Sequence, residues 1–500
     1  MKRTVGLVAV FLLILTVCAN VFAEGQKAPD YIMEGFDGEN TERNWETNLF
    51  FSRMEEKTGI SFQFREYTKY SSWQERISQL AEKENLPDVL FKAELNQGEV
   101  RDLYEAGVLI DLKPYLEENA PDLWKILQEN EDIMKAVSMP DGAIPALPNI
   151  TPLQNNDAMW INTGWLARLG LETPVDAESL KNVLKAFREK DPNANGRTDE
   201  IPLTFVGMWE LRFLGHAFGI IDNDYYVSVH DGKVGTALTT ENNRVFLSWL
   251  HELWEEKLLD HNGFSMADSM RQITDEKASI PYGVILSSSP LTVVPSAALK
   301  NYSLLMPMKY NGKQVYRDLG GDLIRGTFAI TSRCASPEKL VNWVNYLYTE
   351  EGSRMAQFGL EGEDYAFRDD GKWEWLEDLN TVARVVLTNR TIASGSSIPG
   401  ISSAEFQVQY SDEEAAGDIA ELLELKKTAA EPYPPVTMSK EDEEAVARIQ
   451  KDLSPYAETT MAQFVTGDIP LNDEQWQIFC KKAEDLGLNE MIDIFQKYIQ

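Results

Sequence analysis

The chain has 500 residues, 43% of them hydrophobic, which is ordinary for a globular protein and too long for a single hydrophobic core. Asp and Glu number 80 against 47 Lys and Arg, for a formal net charge of −33. A surface this acidic repels nucleic acid and anionic lipid, so neither is expected as a partner.

The chain opens with Lys2 and Arg3, then an almost wholly apolar run from Val5 to Val17, then Val21-Phe22-Ala23. That order predicts a signal peptide over residues 1–23 cut before Glu24, and hence export. Leu15-Thr16-Val17-Cys18 also resembles a bacterial lipoprotein box, although Val17 stands where a small residue is preferred. A soluble mature chain is the expected product, with a lipid anchor on Cys18 as the alternative. No later stretch is long and apolar enough to span a bilayer. Cleavage would leave Cys334 and Cys480, too far apart for a disulfide framework and read as two separate thiols.

Tyr31 to Phe36 reads as a strand, followed by a helix carrying Trp45, Leu49 and Met54 and stopped by Gly59. Ile60, Phe62 and Phe64 alternate with polar residues as in a strand. Trp73, Ile77 and Leu80 mark a helix, and Val89-Leu90-Phe91 a short strand. This β-α-β-α-β run predicts an α/β lobe with a mostly parallel sheet covered by helices. Ligands of such sheets lie beyond the carboxyl ends of the strands, which places Glu34 to Asp37 and Lys92 to Glu94 near a site.

A second lobe is expected to start near Asp157. Asp176 caps a helix through Lys190 with Leu180, Val183, Leu184 and Phe187 on its buried face. A further helix from Glu241 to Leu258 carries Val245, Trp249 and Leu253. Ser336-Pro337 opens another, with Leu340, Trp343, Val344 and Leu347 as its stripe. The C-terminal third reads as largely helical.

The sharpest local motif is Asp191-Pro192-Asn193-Ala194-Asn195-Gly196-Arg197-Thr198-Asp199-Glu200. Oxygen-bearing side chains recur at every second position and Gly196 permits a sharp turn, as in the first part of an EF-hand loop. Pro202 stands where the closing Glu of that loop belongs, so Glu200 would close the shell. The expected cofactor is a structural calcium ion held by Asp191, Asn193, Asn195, Asp199, Glu200 and the Arg197 carbonyl. A plain Asn/Gly turn is the alternative.

The chain has 12 Trp. Trp249, Trp254 and Trp343 fit helix cores. Trp160, Trp209, Trp373 and Trp375 fall at predicted strand ends and loops beside polar neighbours. Indole faces suit the apolar faces of sugar rings, while carboxylates and Arg bind hydroxyls. Glu210 and Arg212 are candidates for that polar role, and core packing is the alternative for each Trp. Signatures of catalysis are missing. The 4 His form no zinc motif, since His251 to Glu255 lacks the second His. There is no nucleophile elbow, Walker loop or dinucleotide fingerprint. The abundance of acids makes paired carboxylates uninformative.

Several stretches resemble the family 1 extracellular solute-binding proteins of ABC sugar transporters, within the calcium-loop-bearing group that includes alginate-oligosaccharide and lipoprotein sugar-binding components. They include Met159 to Leu166, Leu169 to Pro174, Leu184 to Phe187 running into Asp191 to Pro202, and Ser336 to Gly352. Phe358 to Gly362, Phe464 to Gly467 and Leu486 to Leu488 continue the match, while Asn162 departs from the basic residue usual there. The resemblance implies a two-lobed periplasmic-binding-protein fold of type II with a ligand cleft between the lobes. It implies an N-terminal lobe of residues 24–150 plus 303–355 and a C-terminal lobe of 151–302 plus 356–500. It also implies the closing role of Glu200, a cleft position for Tyr282, and capture of a mono- or oligosaccharide by a non-enzymatic monomer. Delivery would be to permease subunits, from the periplasm or the outer face of the cytoplasmic membrane. A secreted polysaccharide-cleaving enzyme with paired carboxylates and a sugar-sensing subunit for a membrane kinase are the alternatives.

Overall fold

The computed structural model describes residues 29–38, 43–151, 157–319, 321, 323–369, 373–376, 389–402 and 413–499. The expected signal peptide and Cys18 lie outside the described residues.

Among the described residues the chain builds two larger sheets and three two-stranded ones, and it passes between the two larger sheets three times. Strands β1 (Tyr31–Phe36), β2 (Phe62–Tyr67), β3 (Val89–Phe91) and β4 (Ala146–Ile150) enter the first sheet. After the first crossing, β5 (Ala158–Asn162) and β6 (Ile201–Thr204) enter the second. The ribbon β7 (Val227–His230) and β8 (Lys233–Thr236) follows, and β9 (Tyr282–Ser287) and β10 (Tyr302–Leu305) complete the second sheet. The chain returns through β11 (Tyr316–Arg317) to β12 (Leu323–Ile330) of the first sheet. It makes the ribbon β13 (Tyr365–Phe367) and β14 (Trp373–Trp375), adds β15 (Gly400–Ile401) beside β4, and crosses a third time. Strand β16 (Ala429–Ala430) then pairs with β11, and helices Lys440–Thr466, Asp473–Asp485 and Leu488–Gln496 finish the second lobe.

The first sheet runs β15-β4-β12-β3-β1-β2, with β1 parallel to β2 and β3, and β12 antiparallel to β3 and β4. Side chains alternate between two cores. Met33, Val89, Phe91, Phe328 and Ile330 point to one side, and Leu90, Ala329 and Ala146 to the other. A sheet covered on both faces needs such continuously apolar strands. The second sheet runs β10-β5-β9-β6 and is mixed, with β6 parallel to β9 and β5 antiparallel to β9 and β10. Strand pairing places β10 with the second sheet and β15 with the first, whereas the expected partition set residues 303–355 in the first lobe and 356–500 in the second.

Local signals read from the sequence recur at several places. Gly59 closes helix Leu49–Thr58 at φ 71°, and Asp176 caps helix Ala177–Glu189 by accepting the Ser179 N–H. Two expected stripe residues differ. Leu49 is 42% and Val245 48% exposed, because the buried faces are carried by Phe50, Phe51 and Met54 and by Phe246, Trp249 and Leu250. Cys334 and Cys480 are free thiols.

His216 is buried in the second lobe, and its Nε2 accepts the Met308 N–H at 2.8 Å. Burial pushes its pKa down from 6.5 to about 4, so the folded state holds the neutral ring. The unfolded chain therefore binds the proton more tightly, and stability present above pH ~6.5 is lost as pH falls toward ~4. Urea denaturation at pH 7 and pH 5 should show an acid loss approaching ~2 kcal/mol at pH 5, and His216→Gln, which keeps an acceptor, should flatten it. An equal acid loss in the variant would assign the titration to another group.

Candidate binding cleft

The strand registers place the cleft. Phe36 and Phe91 end their strands at the edge of the first sheet where β4 ends at Ile150 and β12 begins at Leu323. In the second sheet, β6 and β9 end at Thr204 and Ser287, opposite the start of β5 at Ala158. Ile150 and Ala158 end and begin strands of the two sheets only eight residues apart in the chain, so the carboxyl ends of both sheets face the space between the lobes.

A cavity of about 630 Å³ lies there and draws on both lobes. The first lobe supplies Arg101, Glu131 and Arg325, and the second supplies Tyr225 and Phe495. The rigid run Glu431-Pro432-Tyr433-Pro434-Pro435 closes one side. Arg101 spans the lobes by donating to Glu443, which sits on helix Lys440–Thr466, and Asp102 beside it accepts from Lys440 Nζ at 2.9 Å. A second cavity, of about 640 Å³, opens in the second lobe beside Trp209, Arg212, Tyr226, Phe264 and Glu458. Asp224 lines both.

At the carboxyl ends of the first sheet, where Glu34 to Asp37 and Lys92 to Glu94 were expected near a site, lies a buried ionic cluster. Asp37 accepts from Arg43 Nε and Nη2 at 2.7 and 2.6 Å and from Lys92 Nζ at 2.6 Å. Lys92 also donates to the Ile392 and Ser394 carbonyls, and Arg43 to Ser394. Burial lowers the Lys92 pKa to about 8, against the pull of Asp37. Glu34 is buried against Arg65 and Arg76, and Glu94 accepts the Ser397 N–H. Arg43, Lys92 and Glu94 thus hold residues 391–397 through bonds to Thr391, Ile392, Ser394 and Ser397.

The expected ring-stacking residues separate. Trp209 is 45% exposed and reaches the second cavity. Trp160 is 2% exposed: β5 lies between β9 and β10, its other face packs on helices, and the indole N–H donates to the Ser287 carbonyl. Tyr282 is also in that core, with its hydroxyl donating to the Arg271 carbonyl. Glu210 is buried in a two-bond pair with Arg271, at 2.6 and 3.0 Å, and accepts the Val206 N–H. Burial raises its pKa to about 7 against the Arg271 charge. None of these three lines either cavity. Arg212 lines the second cavity with its guanidinium stacked 4.2 Å over Tyr226 and donating to Asp222 at 2.9 Å. Trp373 and Trp375 form the strand β14 opposite β13; Trp375 packs against Phe358 and Tyr365, and the Trp373 side chain lies outside the described part. Sequence reasoning missed Arg101, Tyr225, Tyr433 and Phe495, which meet from distant segments. The proline-rich run around Tyr433 was the one local signal for them.

The loop from Asp191 to Glu200 lies at the amino end of β6, away from the cleft. Asp191 Oδ1 and Oδ2 accept the Asn195 and Gly196 N–H groups, and Asn195 Oδ1 accepts the Arg197 N–H. Asn195 Nδ2 donates to Asp199 at 2.9 Å, and Arg168 donates to the Pro192 carbonyl. Both Glu200 carboxylate oxygens are buried and find no well-aligned donor. Burial, with the charges of Asp191 and Asp199, raises the Glu200 pKa. Among the described residues no three His, Cys, Asp or Glu side chains converge on a common point. A calcium shell, however, also takes Asn and main-chain oxygens, which this loop supplies, and the orphaned Glu200 carboxylate fits such a shell.

No family model matches the chain. The fructooligosaccharide ABC transporter substrate-binding protein FusA of Streptococcus pneumoniae serotype 4 is 29% identical over 485 residues, covering 90% of this chain and 86% of that protein. The structure of S. pneumoniae FusA with kestose superposes with a TM-score of 0.70 at 25% identity, over 94% of this chain and 98% of that one. An EF-hand mutant of FusA with fructo-nystose superposes at 0.69, with 24% identity over 94% and 98% of the two chains. A human-milk-oligosaccharide-binding solute-binding protein from Bifidobacterium longum infantis superposes at 0.75 with 20% identity, over 95% and 99%. In sequence along most of its length and in its two-lobed α/β fold, the chain resembles the substrate-binding proteins of ABC sugar transporters.

Proposed function

We propose that this protein is the substrate-binding component of an ABC-type carbohydrate importer, exported and acting as a monomer. The observation that carries the reading is the 630 Å³ cavity walled by both lobes, with Tyr225, Tyr433 and Phe495 among its rings and Arg101 and Arg325 among its donors. Aromatic faces and convergent polar groups suit a sugar, and a cavity walled from both sides favours closure on the ligand by rotation about the three crossings. The closed form is then the one that a permease recognises. Strands β1 to β4 with β12 and β15 move as one lobe, and β5 to β10 with the C-terminal helices as the other. The Asp191 to Glu200 loop holds a calcium ion through Asp191, Asn193, Asn195, the Arg197 carbonyl, Asp199 and Glu200. That ion ties helix Ala177–Glu189 to β6 and takes no part in ligand chemistry. FusA supports both halves of this reading: its structures hold kestose and fructo-nystose, and one of them carries a mutated EF-hand.

A thermal-shift screen of the chain from Glu24, against mono- and oligosaccharides including uronates, tests the proposal. A ligand that binds only the native state raises Tm, by the equivalent of about 2.7 kcal/mol at a hundred times Kd. One sugar class should do so without product appearing. No shift with any sugar would overturn the carbohydrate reading, and released product would assign the protein to the enzymes.

A further inference from the structure

Asp224 lines both the cavity between the lobes and the cavity beside Trp209, and both are bordered by helix Lys440–Thr466. Glu443 and Ala447 of that helix line the first cavity; Ser454, Glu458, Ala462 and Thr466 line the second. Steps of four and seven residues put these six on one face of the helix. From Glu443 to Thr466 that face extends about 35 Å at 1.5 Å per residue. The opposite stripe, including Ile449 and Leu453, is buried in the core, so the groove wall is the helix's outward side. The two volumes together exceed the upper end, about 1,000 Å³, of an ordinary small-molecule pocket.

The far cavity has features of a sugar subsite. Trp209 is a large apolar side chain left 45% exposed. Its indole lies over Gly207, which holds φ +68° and whose added Cβ would stand 2.8 Å from Trp209 Cδ1. The pyrrole part of the ring thus packs close to Gly207, and the ring borders the cavity with Phe264. The floor is polar and braced: Tyr226 donates to Glu458 Oε1 at 3.0 Å, and Arg212 stacks on the Tyr226 ring. A ring to stack on beside fixed carboxylate and hydroxyl groups matches a pyranose or furanose with its hydroxyls at the edge.

We infer that the two cavities form one groove, that Trp209 is the stacking platform of a distal subsite, and that the cargo is a linear oligosaccharide spanning both rather than a mono- or disaccharide. This rests on the carbohydrate reading and adds length to it. Isothermal titration with mono-, tri- and pentasaccharides of the fructan, maltodextrin, xylan and galacturonan series tests it, using the chain from Glu24 and its Trp209→Ala and Gly207→Ala variants. In whichever series binds, the pentasaccharide should bind at least about tenfold tighter than the smallest binding member. Trp209→Ala should weaken the pentasaccharide by about thirtyfold, as for a buried aromatic anchor, and the smallest member by less than about threefold. Gly207→Ala, which displaces the indole without removing it, should act in the same direction with an unchanged circular dichroism spectrum. A monosaccharide that binds as tightly as the pentasaccharide would overturn the inference. So would a Trp209→Ala variant that weakens all lengths equally or none. Absence of binding in every series would instead remove the carbohydrate reading itself.

Discussion

Asp37→Asn should destabilise the protein by on the order of 3–5 kcal/mol at pH 7, measured by urea denaturation. Asp37 is the anion between two buried cations, Arg43 and Lys92, and all three side chains are shut off from water. The amide keeps the shape and removes the charge, which leaves two positive groups uncompensated in a low dielectric. Lys92→Met should cost less, because the Asp37–Arg43 pair remains balanced. The pH dependence separates charge from packing. A lysine whose folded pKa lies at about 8 rather than 10.5 binds its proton more weakly in the folded state, so stability climbs as pH rises between those values. Without Asp37 the folded pKa falls further, and the variant should regain part of its loss between pH 7 and pH 9. A loss in Asp37→Asn that does not change over that range would show that packing, not charge, holds residues 391–397 in place.

Calcium should raise Tm in the absence of sugar, and a chelator should lower it. At a thousand times Kd the gain is about 4 kcal/mol. Glu200→Gln should abolish most of that gain, because it removes the carboxylate whose two oxygens have no other partner. The sign of the pH effect inverts with the ion. In the ion-free protein the raised Glu200 pKa means that the folded state favours the protonated acid, so this group's contribution is present at low pH and lost as pH rises through its folded value. With calcium bound the carboxylate is the favoured form, and the contribution appears as pH rises instead. Opposite slopes of Tm against pH, with calcium and with chelator, are therefore expected as pH rises above the ordinary carboxylate range, and Glu200→Gln should remove the difference. Equal slopes would place any calcium elsewhere.

Much of the fold was legible in residue patterns that act locally. Tyr31 to Phe36, Val89 to Phe91 and the Asp176-capped helix were readable because alternation, apolar runs and caps need no partner to be recognised. The cleft residues were less so. Glu210 and Arg212 have the chemistry of ligand contacts, but whether such a group meets a ligand or a neighbour depends on Arg271, 61 positions away, and on Asp222. Trp160 stands next to polar residues in sequence, yet strand alternation turns it into a core closed by Tyr282 and Tyr302, which arrive from later strands. Trp209 has the same residue type and similar neighbours, yet it is 45% exposed and borders a cavity. The reach of the cleft was invisible for another reason: Asp224, Glu443 and Tyr433 come together only after the third crossing.

The interleaved strands also govern the order in which the polypeptide can acquire structure. Strand β4 lies between β12, reached at Leu323, and β15, reached at Gly400. A growing chain therefore cannot complete its first sheet until about four hundred residues have been made, and the helices that cover the second sheet come later still. Such distant pairings impose a high contact order, and with it slow, largely post-translational maturation. In the interval the apolar edges of β3 and β4 stand unpaired, a state that suits the export proposed above, in which a chain is threaded before it folds, and that invites aggregation if it persists.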